Sequence, residues 1–374
     1  MPLSSEIVEV EDYPKAVELF QERGWTDGLP IVPPTEEAVT RFLDYVELEP
    51  DHVVAELVER GRIITAEKVA INAVMAGCKP EYMPVVVSAM ECLGTPEYPM
   101  NHLASLSSPW IMTVVNGPIA KQIGLNSGMY CFGSGTRSNC TISRAISLVL
   151  ANCAEAKIGG VQRGQWGHPG RFSYCIAENE DLAWGPPLHV MQGHSPTASA
   201  VSVKEVYLTL WDTPTVYNSA EDILTVMAAD WPFGRGTSSA RVYLLFVPPW
   251  IVEVFQKAGL TKNDVRQYLF ENVRYSVADL KRRGIWTSAR DEGAALGVMP
   301  DIEPGDRDRF IYPFTQDSDE FIQHMSSGPV EATSVLRQDI VPIVAGGDAG
   351  GSVLLMPGVG EYPIVTRAVS TRDN

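Results

Sequence analysis

Residues 131–153, CFGSGTRSNCTISRAISLVLANC, set a glycine-rich loop with an arginine directly before an apolar helical pattern. Gly133 and Gly135 permit a tight turn that exposes backbone N–H groups, and Ser138 or Asn139 can cap the helix that follows. Free donors at the positive end of a helix dipole attract a phosphate or carboxylate, and Arg137 would add a guanidinium fork. The competing reading is a structural cap on a buried helix. The run lacks the third glycine of a dinucleotide fingerprint, and no Gly-Lys-Ser/Thr makes it a P-loop.

Cys78 precedes a proline-started helix and adjoins Lys79, and both features lower a thiol pKa. The rival reading is a small apolar filler at the corner between two helices, the commoner fate of a free cysteine. Cys140, at a helix start, is a second thiol candidate, whereas Cys92, Cys153 and Cys175 fall in apolar runs and read as packing residues. None of the six cysteines has C-x-x-C spacing, so reduced thiols are expected.

The stretch GHPGRFSYCIAENEDLAWGPPLHV carries His168, Arg171, Glu178, Asn179 and His189. Its SYCIAEN portion ends a predicted strand in a carboxylate and an amide, where α/β proteins commonly present chemistry. Glu178 suits a general base with His189 as the matching acid. Alternatively Glu178 pairs with Arg171 as a structural ion pair. His168, Glu178 and His189 are also ligand types for zinc or iron, but no compact motif unites them, so no cofactor is predicted and a metal is left open. His102 and His194 fall in loops. In IVAGGDAGGSVLLMPG, Gly346, Gly347, Gly350 and Gly351 let a ligand or another backbone approach, while Asp348 disfavours phosphate; the alternative is a glycine turn joining two strands.

These groups need a scaffold. Helical stripes are predicted in DYPKAVELFQERG, EEAVTRFLDYV (capped by Thr35), DHVVAELVERG, TAEKVAINAVMAGC (capped by Thr65), PEYMPVVVSAMECLG, NGPIAKQIG, SAEDILTVMAADW, PWIVEVFQKAG, TKNDVRQYLFENV and DSDEFIQHM. Strands are predicted in PWIMTVV, RFSYCIA, SAVSVKEVYLTLW, ARVYLLFV and DIVPIVAGG. The alternation indicates an α/β protein with mixed layered sheets and flanking helices, arranged as two related lobes around a shared cleft. The expected boundaries are a helical, proline-rich segment over 1–60, a first lobe over 61–212 and a second over 213–374.

An internal echo bears on the two lobes. FGSGTRS (132–138) matches FGRGTSS (233–239), and TVVNGPIAKQIGL resembles LLFVPPWIVEVFQKAGL. Loop and strand occur in opposite order in the two copies, so the echo is either a coincidence of common loop residues or a sign of two related glycine loops.

With 46 acidic against 29 basic residues the formal charge is -17, which disfavours nucleic acid and anionic membranes as partners. No run has the length and apolarity of a membrane helix, and the first residues lack a secretory pattern, so a cytoplasmic protein is expected.

Taken together, GWTDGLPIVPPT, EKVAINAVMAGCKPEYMPVV, VVNGPIAKQIGLNSG, FGSGTRSNCTISRA, CIAENEDLAWGPPLHV, AGLTKNDVRQYLFENV and IVAGGDAGG resemble a family of bacterial proteins associated with UGSC-motif proteins. Those carry selenocysteine or cysteine in a U/C-G-S-C motif and are similar to thiol or selenol subunits of amino-acid reductases. The resemblance implies a shared fold, a thiol or selenol protein partner, and pattern positions at Cys78, Asn116, Asn126, Arg137, Asn139, Glu178, Asn179 and His189. This chain has no C-G-S-C; it reads GHPGR where relatives have GQPGK, and Asp348 stands where they often have a neutral residue.

The expected function is an enzyme, homo-oligomeric, that holds a small carboxylate or other anion through Arg137, Asn139, Gly133 and Gly135, with Asn116, Asn126 and Asn179 as further substrate contacts. Glu178 and His189 would move protons and Cys78 would serve as a thiolate, in elimination or addition at a carbon–heteroatom bond, the chemistry of a lyase or hydratase. The alternative is a substrate-binding subunit that serves a UGSC-type reductase.

Overall fold

The computed structural model describes residues 2–58, 61–96, 109–160, 162–164, 166–207, 211–214, 219–232, 242–283, 301–312, 314, 339–359 and 363–370. The chain begins with α1 (Tyr13–Glu22) and α2 (Glu36–Val46), followed by a hairpin of β1 (Val53–Leu57) and β2 (Arg62–Thr65). Next come α3 (Ala66–Ala76), α4 (Met83–Leu93), β3 (Trp110–Asn116), α5 (Pro118–Gln122), α6 (Arg137–Cys153), β4 (Cys175–Ala177), α7 (Leu188–Met191) and β5 (Ala200–Val206). The second half holds β6 (Trp211–Pro214), α8 (Ala220–Ala229), β7 (Val242–Val247), α9 (Pro249–Lys257), α10 (Lys262–Asn272), β8 (Tyr275–Ser276) and α11 (Val277–Arg282). It ends with β9 (Phe310–Ile311), β10 (Asp339–Val344), β11 (Ser352–Pro357) and β12 (Val365–Ala368).

Two four-stranded mixed sheets dominate, in the orders β12-β5-β3-β4 and β6-β11-β7-β10. Both have the same senses along that order: antiparallel, antiparallel, then parallel. Each edge strand that pairs antiparallel follows the other sheet's strand in the chain: β6 leaves β5 to pair with β11, and β12 leaves β11 to pair with β5. The two departures run side by side, with Tyr207 N–H donating to Pro357 O at 2.9 Å and Val359 N–H to Glu205 O at 2.8 Å.

Alternation along the strands divides the apolar side chains between two faces. Met112, Val114 and Ile176 of the first sheet share one core with Leu244, Phe246, Val341, Ile343 and Met356 of the second. The opposite face of the first sheet, with Ile111, Val115, Val201 and Val203, packs against α3, α4 and α6. The opposite face of the second, with Leu245, Val247, Ile340 and Leu355, packs against residues of α8, α9 and α10. The result is an α/β architecture layered helix, sheet, sheet, helix, and sequence-distant loops meet at the sheet ends.

Several local expectations are corrected. DHVVAELVERG supplies β1 rather than a helix, because the adjacent β-branched Val53 and Val54 suit a hairpin whose return strand is β2. SAVSVKEVYLTLW does not form one strand; it contributes β5 and β6 to different sheets. PEYMPVVVSAMECLG starts as a 3-10 turn over Pro80–Tyr82 before α4, and RFSYCIA starts in a 3-10 turn over Pro169–Phe172. The strand–proline–helix echo falls on β3–α5 and β7–α9, equivalent positions of the two sheets. The second glycine loop (233–239), DSDEFIQHM and His102 lie outside the described residues.

Candidate active site

In α/β sheets, ligands gather beyond the carboxyl ends of parallel strands. Here the parallel pair β3/β4 ends at Asn116 and Ala177, and the pair β7/β10 ends at Val247 and Val344. The two ends are joined, since Asn179 N–H donates to Val344 O at 2.7 Å.

Glu178 is the first residue past β4, and its N–H donates to Val115 O at 3.2 Å, which directs the carboxylate into the joint. Oε1 lies 2.7 Å from Lys262 Nζ. Oε2 accepts from Asn116 Nδ2 at 2.9 Å and from Leu188 N–H at 2.7 Å. Both charged side chains are almost fully buried, at 1% exposure for Glu178 and 6% for Lys262.

The local sequence explains each partner. Pro186 and Pro187 hold the chain extended until α7 starts, so the N–H of Leu188 at the first helical position has no intrahelical acceptor and is available to the carboxylate. Pro186 O takes a second hydrogen bond from Lys262 Nζ at 3.0 Å. Gly185, at φ +110, supplies the left-handed turn before this segment. The segment is fixed to the second half by Trp184 Nε1–H donating to Leu260 O and by Gln256 Nε2–H donating to Ala183 O.

Asn116 also holds a second carboxylate. Its Nδ2 donates to Glu180 Oε1 at 2.9 Å, and the N–H of Gly117 donates to the same oxygen at 2.7 Å. Asp181, next in the chain, pairs with Lys121 at 2.5 Å. His189 follows Leu188 and is completely buried, and among the described residues neither ring nitrogen has a hydrogen-bond partner.

Lys262 and Glu180 escaped the sequence reading. Lys262 carried a weak signal, because a lysine in the first turn of a helix faces the positive end of the dipole and is favoured there by an anion nearby. Glu180 had only its proximity to Glu178.

The expected anion loop is arranged differently. Arg137 is exposed, and its guanidinium donates to Gly77 O through Nε at 3.0 Å and Nη2 at 2.9 Å, closing the carboxyl end of α3. Asn139, fully buried, accepts from Asn126 N–H at 2.9 Å and donates to Asn126 O and Cys131 O, so it staples the loop instead of capping α6. Asn126 closes its own turn by accepting from Gly128 N–H and donating to Met129 O. Gly133 lies against Tyr130, and Gly135 takes φ +117 at the exposed tip. Asn179 Oδ1 accepts from Asp181 N–H at 3.1 Å in a local turn.

The other glycine loop receives backbone: Gly346 N–H donates to Ser127 O at 2.8 Å, and a Cβ on Gly347 would lie 3.1 Å from Met129 Cα. Asp348 is exposed. Thus Glu178, Asn116 and Asn179 meet at the sheet ends, with His189 next in the chain to the Leu188 N–H that binds Glu178, while the hydrogen bonds of Arg137, Asn126 and Asn139 serve the loop and α3.

Cys78 departs from the expected reactive thiol. It is buried, its Sγ–H donates to Thr141 O at 3.3 Å, and burial pushes the thiol up to about 12 despite Arg137 and Arg144 nearby. Desolvation of the thiolate outweighs the helix start and the cations. Glu178 pairs with Lys262 rather than with Arg171, whose guanidinium stacks 3.8 Å from the Trp110 ring centroid. His168 is occupied, with Nδ1 accepting from Gly170 N–H at 3.0 Å and Nε2 3.3 Å from Tyr207 O, and His194 N–H donates to His189 O.

Among the described residues, no group of three or more His, Cys, Asp or Glu side chains is placed to hold a metal ion, and no helix is long and apolar enough to cross a membrane. No protein-family model, curated protein or solved structure matches the chain.

Proposed function

We propose that the chain is an acid–base enzyme for a small polar molecule, with Glu178 as proton acceptor and His189 as the group that returns a proton. Lys262 holds Glu178 in place and offsets its charge; Asn116 and the N–H of Leu188 fix the orientation of the carboxylate. The observation that carries the reading is a wholly buried imidazole without a protein partner among the described residues, one residue from the amide that binds a buried carboxylate. An unpaired imidazole in that setting is a cost to folding, which selection tolerates where the group serves chemistry.

Removing one proton and delivering another is the requirement of elimination, addition and isomerisation alike. The reaction class is therefore tested without a known substrate. The protein is incubated in deuterated water with a panel of small hydroxy, amino and oxo acids and their amines, and C–H to C–D exchange is followed by proton NMR. Exchange in at least one compound, abolished in E178Q and in H189N, is the expected result. A panel with no exchange, or exchange that persists in both variants, overturns the proposal.

A further inference from the structure

The unfilled hydrogen-bonding capacity of this centre carries information about its ligand. Asn116 is fully buried, and both hydrogens of its Nδ2 are used, one on Glu178 Oε2 and one on Glu180 Oε1, each at 2.9 Å. The amide cannot be turned over, since the swap would set its oxygen against two carboxylates. Asn116 Oδ1 is therefore fixed as an acceptor, and among the described residues nothing donates to it.

The charges point the same way. Glu178, Glu180 and Asp181 present three carboxylates to the two ammonium groups of Lys262 and Lys121, which leaves one negative charge in excess. Lys121 and Asp181 are both largely exposed and screened, whereas Asn116 and Glu178 lie inside. Glu180 is half-buried and connects the buried part to solvent. A fixed buried acceptor beside excess negative charge repels a carboxylate and attracts a cation that can donate hydrogen bonds.

We infer that the centre takes a protonated primary amine, with one N–H directed to Asn116 Oδ1 and the positive charge facing Glu180. This rests on the proposed function only in placing the ligand at the same centre; it concerns binding, not turnover. It departs from the anionic substrate expected from Arg137, whose guanidinium is committed to the carbonyl of Gly77.

The test is calorimetric titration of the full chain with methylammonium and butylammonium, against tetramethylammonium and acetate at equal ionic strength. Primary ammonium ions are expected to bind about tenfold tighter than tetramethylammonium, which has the charge without an N–H. E180Q is expected to weaken them by about the same factor. On the wild-type chain, the side-chain amide resonance of Asn116 should shift with methylammonium and stay in place with tetramethylammonium, a readout that does not depend on the variant folding. Equal binding of tetramethylammonium, stronger binding of acetate, or an unmoved Asn116 resonance overturns the inference. Amine binding without deuterium exchange would defeat the acid–base reading and leave this one standing; exchange confined to simple carboxylates would do the reverse.

Discussion

Lys262 Nζ and Glu178 Oε1 meet at 2.7 Å across 84 residues of chain, joining the first turn of α10 to the carboxyl end of β4. The contact ties the helical layer of one sheet to the strand end of the other.

Removal of the ammonium is expected to be costly. K262M leaves Glu178 as a buried carboxylate held only by Asn116 and Leu188, and should lower unfolding stability by about 3–5 kcal/mol. The double variant E178Q/K262M should recover much of the loss, because no charge is then buried alone. Urea denaturation of the four proteins of this cycle checks both statements.

Arg137 should act on stability and not on ligands. R137A removes the guanidinium that caps α3, for an expected loss of about 1 kcal/mol at this exposed position. R137K should rescue only partly, since an ammonium cannot reproduce the two-armed contact with Gly77 O. Calorimetric titration of R137A with methylammonium should give the wild-type affinity.

Alkylation should spare Cys78. With its thiol pushed up to about 12 by burial, it is expected to remain unmodified by iodoacetamide at pH 8 in the native state, while partly exposed Cys140 reacts first. Mass mapping of the labelled chain, native and in denaturant, measures the difference.

Acid should weaken the fold through His168. Burial, then the neighbouring Arg171, hold this imidazole down at about 4, against 6.5 for the free side chain. The unfolded chain thus binds the proton more readily. The contribution of His168 is fully present above pH 6.5 and is lost as the pH falls toward 4, by on the order of 3 kcal/mol. H168Q should show a flatter dependence of urea midpoint on pH over that window.

The parts of the fold legible from sequence are those decided locally. The Thr35 and Thr65 caps open α2 and α3 with their side-chain oxygens on Ala38 and Lys68 N–H, and the apolar runs at 110–116 and 242–247 form buried strands. The glycine turn at 346–351 joins two strands, β10 and β11, as one reading of that segment expected, whereas β12 passed unread, since its identity as a strand depends on a partner far along the chain, β5. The site was half legible for the same reason. Glu178 and His189 stand out where a strand ends and a proline pair starts a helix, but the lysine that neutralises Glu178 arrives from a different layer. For Cys78 the local signals pointed to a low pKa, and the depth of burial, a property of the whole packing, reversed them.

The departures of β6 and β12 bind the two halves as a person's folded arms are bound, each hand held in the opposite elbow. Cutting the chain between them would leave β5 and β11 each with a bare row of N–H and C=O groups, a template for aggregation. Each half produced by itself is then expected to aggregate, and truncation before Val365 should injure the sheet whose edge β12 completes beside β5.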